Sequence, residues 1–109
     1  MNKLILKGIP SSSGIAKGTV RVVQGIQDAA RFQEGDILVT RITDPTMVSM
    51  MIKASAIVCD IGGITSHPSI VSREMGIPCV VNTKEATTLL HDGMHVQVDG
   101  TKGEIYVLD

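Results

Sequence analysis

The stretch AIVCDIGGITSHPSIVSREMGIPCVV, residues 56–81, decides how this chain is expected to fold. Its first four residues are a short, uniformly apolar run, which is typical of a strand buried in a parallel sheet. A pair of glycines follows, and residues 68–78 then read as a short helix stopped by glycine and proline. The apolar run 79–81 begins the next strand. The stretch therefore predicts a strand, a glycine turn, a helix and a second strand, with His67 where the turn meets the helix.

A histidine at the start of a helix is well placed to carry a phosphoryl group. The first turn of a helix has unpaired N–H groups and the positive end of the helix dipole, and both favour an anion. The same field disfavours the imidazolium form, so we expect a neutral ring with a nitrogen lone pair free to attack. The alternative is a structural histidine that only accepts or donates hydrogen bonds, which is the commoner role of a lone histidine. Our hypothesis from the residues is that His67 is a phosphoryl carrier.

The residues before His67 supply candidate phosphate contacts. Gly62 and Gly63 permit positive φ angles and let backbone N–H groups approach a phosphate closely, although a simple strand-to-helix turn would need the same residues. Thr65 and Ser66 can cap the helix through their side-chain oxygens, and either hydroxyl can also donate to a phosphoryl oxygen. Capping and phosphate contact are compatible, so both interpretations remain open for this pair.

Arg73 lies six residues after His67, less than two helical turns away. Its long side chain can reach back toward a bound anion, or it can form an ion pair with a carboxylate on the surface. The residues alone do not decide between the two roles.

The stretch 62–81 resembles the signature of the mobile, or swivelling, phosphohistidine domain of phosphoenolpyruvate-utilising enzymes. That family includes phosphoenolpyruvate synthase, pyruvate phosphate dikinase and enzyme I of the sugar phosphotransferase system. The resemblance covers nearly the whole chain, because further motifs fall in the family's order at residues 35–40, 43–45, 56–58, 92–93 and 98–103. It implies an α/β fold of the swivelling β/β/α three-layer type, in which helices and a smaller antiparallel sheet flank a central parallel sheet.

The resemblance also places the loop that contains Thr43 and Thr46 beside His67. A hydroxyl there can hydrogen-bond one ring nitrogen and fix the tautomer, so that the other nitrogen attacks. The alternative is a plain helix N-cap, which Thr43 or Asp44 would provide. Pro68 stands where the family pattern usually has a small residue such as alanine. Proline is tolerated in the first turn of a helix, but it removes one potential N–H donor near the phosphate.

The chain's 109 residues suit one phosphohistidine domain spanning 1–109, with no room for the nucleotide-binding domain and the phosphoenolpyruvate-binding barrel that flank it in long family members. The resemblance therefore implies a phosphotransferase component that is incomplete as a single chain. We expect separate nucleotide-binding or phosphoenolpyruvate-binding subunits to load His67 from ATP or phosphoenolpyruvate. Magnesium is expected with those donors on the partners, and no cofactor on this chain. The alternative is a non-catalytic binding or regulatory module that keeps the swivelling fold.

Composition excludes several other classes. The apolar content of 43% is enough for a compact core that needs no metal or disulfide. A net charge of −1 with one Phe, one Tyr and no Trp provides neither a basic surface nor stacking aromatics, so nucleic acid is not an expected partner. No apolar run approaches the roughly 18 residues of a membrane span, and no signal peptide is apparent. The cytoplasm is the expected location.

The remaining cysteines and histidines are not expected to bind metal. Cys59 and Cys79 end or begin apolar runs and form no C-x-x-C pair, so we interpret them as buried small hydrophobes. His91 and His95 are four residues apart, but the Asp-Gly pair between them breaks a helix and indicates a turn into a strand.

The rest of the chain reads as short alternating strands and helices. The predicted elements are a loop at 9–14, strands at 19–24 and 37–40, a helical turn at 27–32, a buried methionine-rich helix at 46–54, a helix at 84–90 with Leu89 and Leu90 facing inward, and a hairpin at 94–98 and 104–108.

Overall fold

The computed structural model describes residues 2–108, which form eight strands and three α-helices. The strands are β1 (Lys3–Lys7), β2 (Ile9–Ser12), β3 (Ile15–Val22), β4 (Ile37–Thr40), β5 (Ala56–Cys59), β6 (Cys79–Val81), β7 (His95–Asp99) and β8 (Glu104–Val107). The helices are α1 (Val48–Lys53), α2 (His67–Met75) and α3 (Ala86–Leu89), with 3₁₀ helices at Ile26–Arg31 and Pro45–Met47.

All eight strands belong to one mixed sheet, in the order β1-β8-β7-β3-β4-β5-β6-β2. The central pairs β3/β4, β4/β5 and β5/β6 are parallel, and the pairs formed by β1, β8, β7 and β2 are antiparallel. Strand β3 joins the two parts, because its first half pairs with β7 and its last three residues pair with β4. The prediction of an α/β fold with a central parallel sheet and a smaller antiparallel part is confirmed.

Alternation along the central strands produces two apolar layers, one on each face. In β4, Ile37 and Val39 pack with residues of the antiparallel strands, whereas Leu38 packs with the helices on the other face. Strands β5 and β6 divide in the same way. The antiparallel part therefore covers one face of the parallel strands together with α3, and α1 and α2 cover the other. The first layer includes Leu6, Val20, Val58, Val80, Val96, Val98 and Ile105, and the second includes Phe32, Met47, Met50, Met51, Ile57, Cys59, Cys79 and Val81.

The predicted burial of the methionines and cysteines is confirmed, but the prediction that the methionine-rich helix is buried on all sides is wrong, since Ile52 is 62% exposed. Met47, Met50 and Met51 are at most 2% exposed, and both cysteines are 0% exposed. Burial raises the pKa of the Cys59 thiol well above its ordinary value, and that of Cys79 to a lesser degree, because a thiolate loses its hydration there. Both cysteines are therefore core residues with low reactivity at neutral pH.

The strands predicted at 37–40, 56–59 and 79–81 are found with the same bounds, whereas other elements differ. Residues 9–12 of the predicted loop form β2, an edge strand, where a proline is tolerated because only one side of the strand pairs. Strand β3 begins at Ile15 instead of residue 19, since the backbone there pairs with β7 despite Gly18. Strand β1 was not predicted.

The last predicted helix is shorter than expected. Asn82 and Lys84 have φ angles of 56° and 72°, which a helix cannot contain, so α3 begins only at Ala86. Leu90 is fully buried as predicted, but the prediction for Leu89 is wrong, since it is 37% exposed. No helix within residues 2–108 has the length and apolar character to cross a membrane.

We expect Ile57→Ala to lower the free energy of unfolding by about 2–5 kcal/mol, because it removes buried methyl groups and leaves a cavity in the centre of the sheet. The matched control is Ile52→Ala, the same truncation at a side chain that is 62% exposed, for which we expect a change within about 0.5 kcal/mol. Urea unfolding measures both. Equal losses in the two variants would contradict the assignment of the core.

Candidate functional site

His67 stands at the carboxyl end of the parallel strands, where open α/β sheets usually bind their ligands. Strand β5 ends at Cys59, residues 60–66 form a loop, and α2 begins at His67 itself. His67 is half-buried. The structure therefore places His67 where the loop meets the helix, as the sequence predicted.

Thr43 lies against the histidine ring. It follows β4, the parallel neighbour of β5, and the last residues of those two strands pair, so the loops after them start side by side. Thr43 is 3% exposed, and its Oγ1 is 2.7 Å from Nδ1 of His67, a hydrogen-bonding distance. Nε2 receives no hydrogen bond from the described residues, so it is the ring nitrogen that stays free.

Thr46 does not reach the ring. Its amide donates to Asp44 Oδ1 at 2.8 Å and its hydroxyl donates to the same oxygen, so Asp44 caps the 3₁₀ helix that precedes α1. The bond from the Thr46 hydroxyl is the main reason that the pKa of the Asp44 carboxyl lies below its ordinary value, with a smaller contribution from the charge of a nearby His67. Asp44 is thus the N-cap residue of this loop, and Thr43 is the residue that contacts the histidine.

Only one of the two glycines before His67 adopts a backbone conformation that needs glycine. Gly62 has a φ of 115°, and a Cβ added there would lie 2.9 Å from Ser66 Oγ. Gly63 has no such φ, and an added Cβ would have no atom within 4 Å. The space beside Gly63 is therefore open.

Ser66 occupies the N-cap position of α2, but its side chain does not accept a capping bond. Instead its hydroxyl donates to the Gly63 carbonyl at 2.7 Å, and the Ser69 hydroxyl donates to the same carbonyl at 2.7 Å. The expectation that Ser66 caps the helix is therefore wrong, because the loop turns a carbonyl toward it. Thr65 is exposed, and no hydrogen bond involves its hydroxyl within the part of the chain that the structure describes. Sequence reasoning missed Ser69, although its spacing of three from Ser66 places both on one side of the helix.

The Arg73 guanidinium bridges two segments of backbone. Nη1 donates to the Ser11 carbonyl near the end of β2 at 2.9 Å, and Nη2 donates to the Ile64 carbonyl at 2.7 Å. Ile64 lies in the histidine loop, which comprises residues 60–66 and precedes His67. Across residues 2–108 it forms no ion pair with a carboxylate, which was one of its two predicted roles.

Asp60 connects the histidine loop to the loop that precedes α3. Its buried carboxylate accepts from the Thr87 amide at 2.9 Å and from the Thr87 hydroxyl at 2.5 Å, and its carbonyl accepts from the Lys84 amide at 2.8 Å. The Asp60 amide in turn donates to the Thr40 carbonyl at the end of β4. Three loops at this edge of the sheet therefore share one anchor, a role that the sequence did not indicate.

Four consecutive amides of the histidine loop are unpaired. The N–H groups of Gly62, Gly63, Ile64 and Thr65 donate to no acceptor in residues 2–108. Successive unpaired N–H groups before a helix are a common way for proteins to hold phosphate. No group of three or more His, Cys, Asp or Glu side chains among these residues is placed to hold a metal ion.

An α/β domain with a histidine hydrogen-bonded to a threonine at the ends of its parallel strands is the class that fold and site define. A family model described as "PEP-utilising enzyme, mobile domain" matches residues 32–103. The chain belongs to this family of mobile domains from phosphoenolpyruvate-utilising enzymes.

Individual relatives agree with the family. Phosphoenolpyruvate synthase of Pyrococcus furiosus is 56% identical over 95% of this chain, and the uncharacterized phosphotransferase YvkC of Bacillus subtilis is 45% identical over 93% of it. The match spans only 13% and 12% of those two longer proteins. Among solved structures, the Enzyme I protein nEIt superposes with a TM-score of 0.60 and 32% identity, covering 68% of this chain and 31% of that one.

We expect Thr43→Val, which keeps the shape but removes the hydroxyl, to free Nδ1 and increase the exchange between the two ring tautomers. Thr43→Ser keeps the hydroxyl and should retain the wild-type tautomer. The ¹⁵N chemical shifts of the His67 ring measure the tautomer directly. Identical ring shifts in wild type and Thr43→Val would show that the hydroxyl does not orient the ring.

Gly62→Ala should lower the free energy of unfolding by about 1–3 kcal/mol, because alanine is strained at a positive φ and its methyl group would press on Ser66. Gly63→Ala meets no neighbour and should remain within about 0.5 kcal/mol of wild type. Chemical denaturation of the pair provides the comparison. Equal stability of the two variants would contradict the backbone geometry of the loop.

Proposed function

We propose that this chain is a phosphoryl carrier, in which Nε2 of His67 accepts a phosphoryl group at one site and passes it on at another. The observation that carries the proposal is the contact between Thr43 and Nδ1, beside a loop with four unpaired amides. Nδ1 is engaged by Thr43, and Nε2 has no hydrogen bond from the described residues. That arrangement suits a nucleophile whose lone pair is regenerated after each transfer.

The Thr43 contact is compatible with the reactive form of the ring, because a hydroxyl can accept from Nδ1. When Nδ1 carries the proton and donates it to Thr43 Oγ1, the lone pair of a neutral imidazole lies on Nε2. The opposite tautomer would place a proton on Nε2 and block attack. Thr43 therefore has an orienting role in the proposal, and Thr46 has none because its hydroxyl is engaged with Asp44.

The transfer is written as two displacements at phosphorus. In the first, the lone pair of Nε2 forms a P–N bond while the P–O bond to the donor's leaving oxygen breaks, and that oxygen retains the bonding electrons. In the second, an acceptor oxygen forms a P–O bond, the P–N bond breaks, and the electron pair returns to Nε2. The Nδ1 proton stays with the ring throughout. In this proposal the unpaired loop amides stabilise the charge on the phosphoryl oxygens.

The donor and its magnesium are proposed to be held elsewhere. Positioning and charge stabilisation dominate phosphoryl transfer, and in this proposal nucleotide-binding and phosphoenolpyruvate-binding domains or subunits provide both for ATP or phosphoenolpyruvate. Support comes from the relatives, since phosphoenolpyruvate synthase of P. furiosus is a much longer protein of which this chain matches 13%. The chain is then one component of a transferase, and the identity of the final acceptor is set by the other components.

The test is labelling of the chain by a phosphoryl donor in the presence of candidate nucleotide-binding and phosphoenolpyruvate-binding partners. The donors are ³²P-labelled phosphoenolpyruvate and ATP labelled at its β- or γ-phosphate. We expect an acid-labile, base-stable label on wild type, because a P–N bond to imidazole hydrolyses in acid and survives alkali. His67→Ala should carry no label.

The matched control is His91→Ala, which removes an exposed histidine outside the site and should be labelled like wild type. Label that persists in His67→Ala would refute the assignment of the carrier residue. Absence of label with every donor and partner would refute the carrier function and leave the binding or regulatory module.

A further inference from the structure

The carbonyl groups of the histidine loop are held in place on one side of the backbone. A trans peptide unit is planar, and its C=O and the following N–H point in opposite directions. A contact that fixes the carbonyl of one residue therefore also fixes the direction of the next residue's amide. In this loop the Gly63 and Ile64 carbonyls are both held, so the directions of the Ile64 and Thr65 amides are set.

The peptide unit between Gly63 and Ile64 and the one between Ile64 and Thr65 differ in how many donors bind their carbonyls. The Gly63 carbonyl accepts from the Ser66 amide at 3.0 Å and from the hydroxyls of Ser66 and Ser69 at 2.7 Å each. The Ile64 carbonyl accepts from Arg73 alone within the described residues. Loss of one donor should therefore leave the Gly63–Ile64 peptide unit in place, whereas loss of Arg73 should free the Ile64–Thr65 unit.

The Ile64 carbonyl lies outside α2. The first helical bond of α2 runs from the Ile70 amide to the Ser66 carbonyl, so no helical amide donates to the Ile64 carbonyl. The guanidinium of Arg73 supplies a donor at 2.7 Å. Its other nitrogen binds the Ser11 carbonyl, so the loop is tied to β2 on the sheet edge.

We propose that Arg73 is a positioning residue, which fixes the peptide unit between Ile64 and Thr65 and thereby aims the Thr65 amide at the phosphoryl group on His67. The inference rests on the carrier function proposed above. It assigns Arg73 a contact with backbone and none with phosphate.

The first measurement needs no phosphorylation. Residual dipolar couplings of a ¹⁵N-labelled chain report the direction of each N–H bond, and we compare wild type with Arg73→Met. We expect the Thr65 coupling to change and the Ile64 coupling to stay, since Gly63 keeps all its donors. Arg73→Gln is the second variant if Arg73→Met does not fold. Glu74→Gln, the neighbouring exposed position on α2, is the control and should leave both couplings unchanged.

The second measurement uses phosphoramidate, a small donor that transfers its phosphoryl group to the imidazole nitrogen and releases ammonia. In wild type we expect the Thr65 and Ile64 amide protons to move downfield when His67 is phosphorylated. In Arg73→Met only the Ile64 shift should remain, and phosphohistidine should form about 10-fold more slowly, below the roughly 10²-fold cost of removing an oxyanion donor outright. A merely structural role would not separate the two adjacent amides.

The outcomes distinguish this inference from the carrier function. An unchanged Thr65 coupling in Arg73→Met overturns the positioning role, and so does phosphorylation of that variant at the wild-type rate with a wild-type Thr65 shift; both leave the carrier function intact. Failure of wild-type His67 to accept phosphate from phosphoramidate and from every partner overturns the carrier function, and the positioning of a phosphate-binding amide with it. Separate changes at Thr65 and Ile64 support the proposal.

Discussion

The pairing of β4 with β5 is the constraint on which the site depends. Thr40 and Cys59, the last residues of these parallel strands, are partners in the sheet, so the two following loops leave the sheet at the same level. That register brings Thr43 to the ring of His67, although 24 residues separate them in sequence. Apolar layers on both faces hold the strands in register, because a slip of one residue would turn each buried side chain to the opposite face.

The loop that precedes His67 is held by hydrogen bonds, whereas the core is held by apolar packing. Its carbonyls bind Ser66, Ser69 and Arg73, while its first residue, Asp60, holds two further loops. Each of these bonds is worth about 1 kcal/mol net. They also set direction, since every carbonyl turned toward a donor turns the amide of the same peptide unit away from it. If the loop binds an anion as proposed, these bonds hold it in place beforehand, which reduces the cost of ordering it on binding.

The sequence predicted the elements whose signal is local. Apolar runs bounded by glycine and proline identified the central strands 37–40, 56–59 and 79–81 with their observed bounds. Strand β2 was missed because Pro10 and the serines after it look like a turn, and only pairing with β6 makes them a strand. The resemblance to a family directed attention to Thr43, but the sequence did not show which of two threonines meets the ring. The role of Arg73 was beyond prediction, since its acceptors are backbone carbonyls, which every residue has.

A site made of amides rather than charged side chains suits the task proposed for this chain. A carrier has to release its phosphoryl group as readily as it accepts it. Strong stabilisation of the phosphorylated state would lower the free energy of that intermediate and slow the second transfer. Neutral N–H groups bind an anion more weakly than a guanidinium does, because charge-assisted bonds are roughly twice as strong. Arg73, whose guanidinium contacts the loop, binds carbonyls instead. In the proposed carrier, the strong cationic contacts therefore belong to the sites that donate and receive the group, where they can stabilise the transition state of each transfer without trapping the phosphohistidine between them.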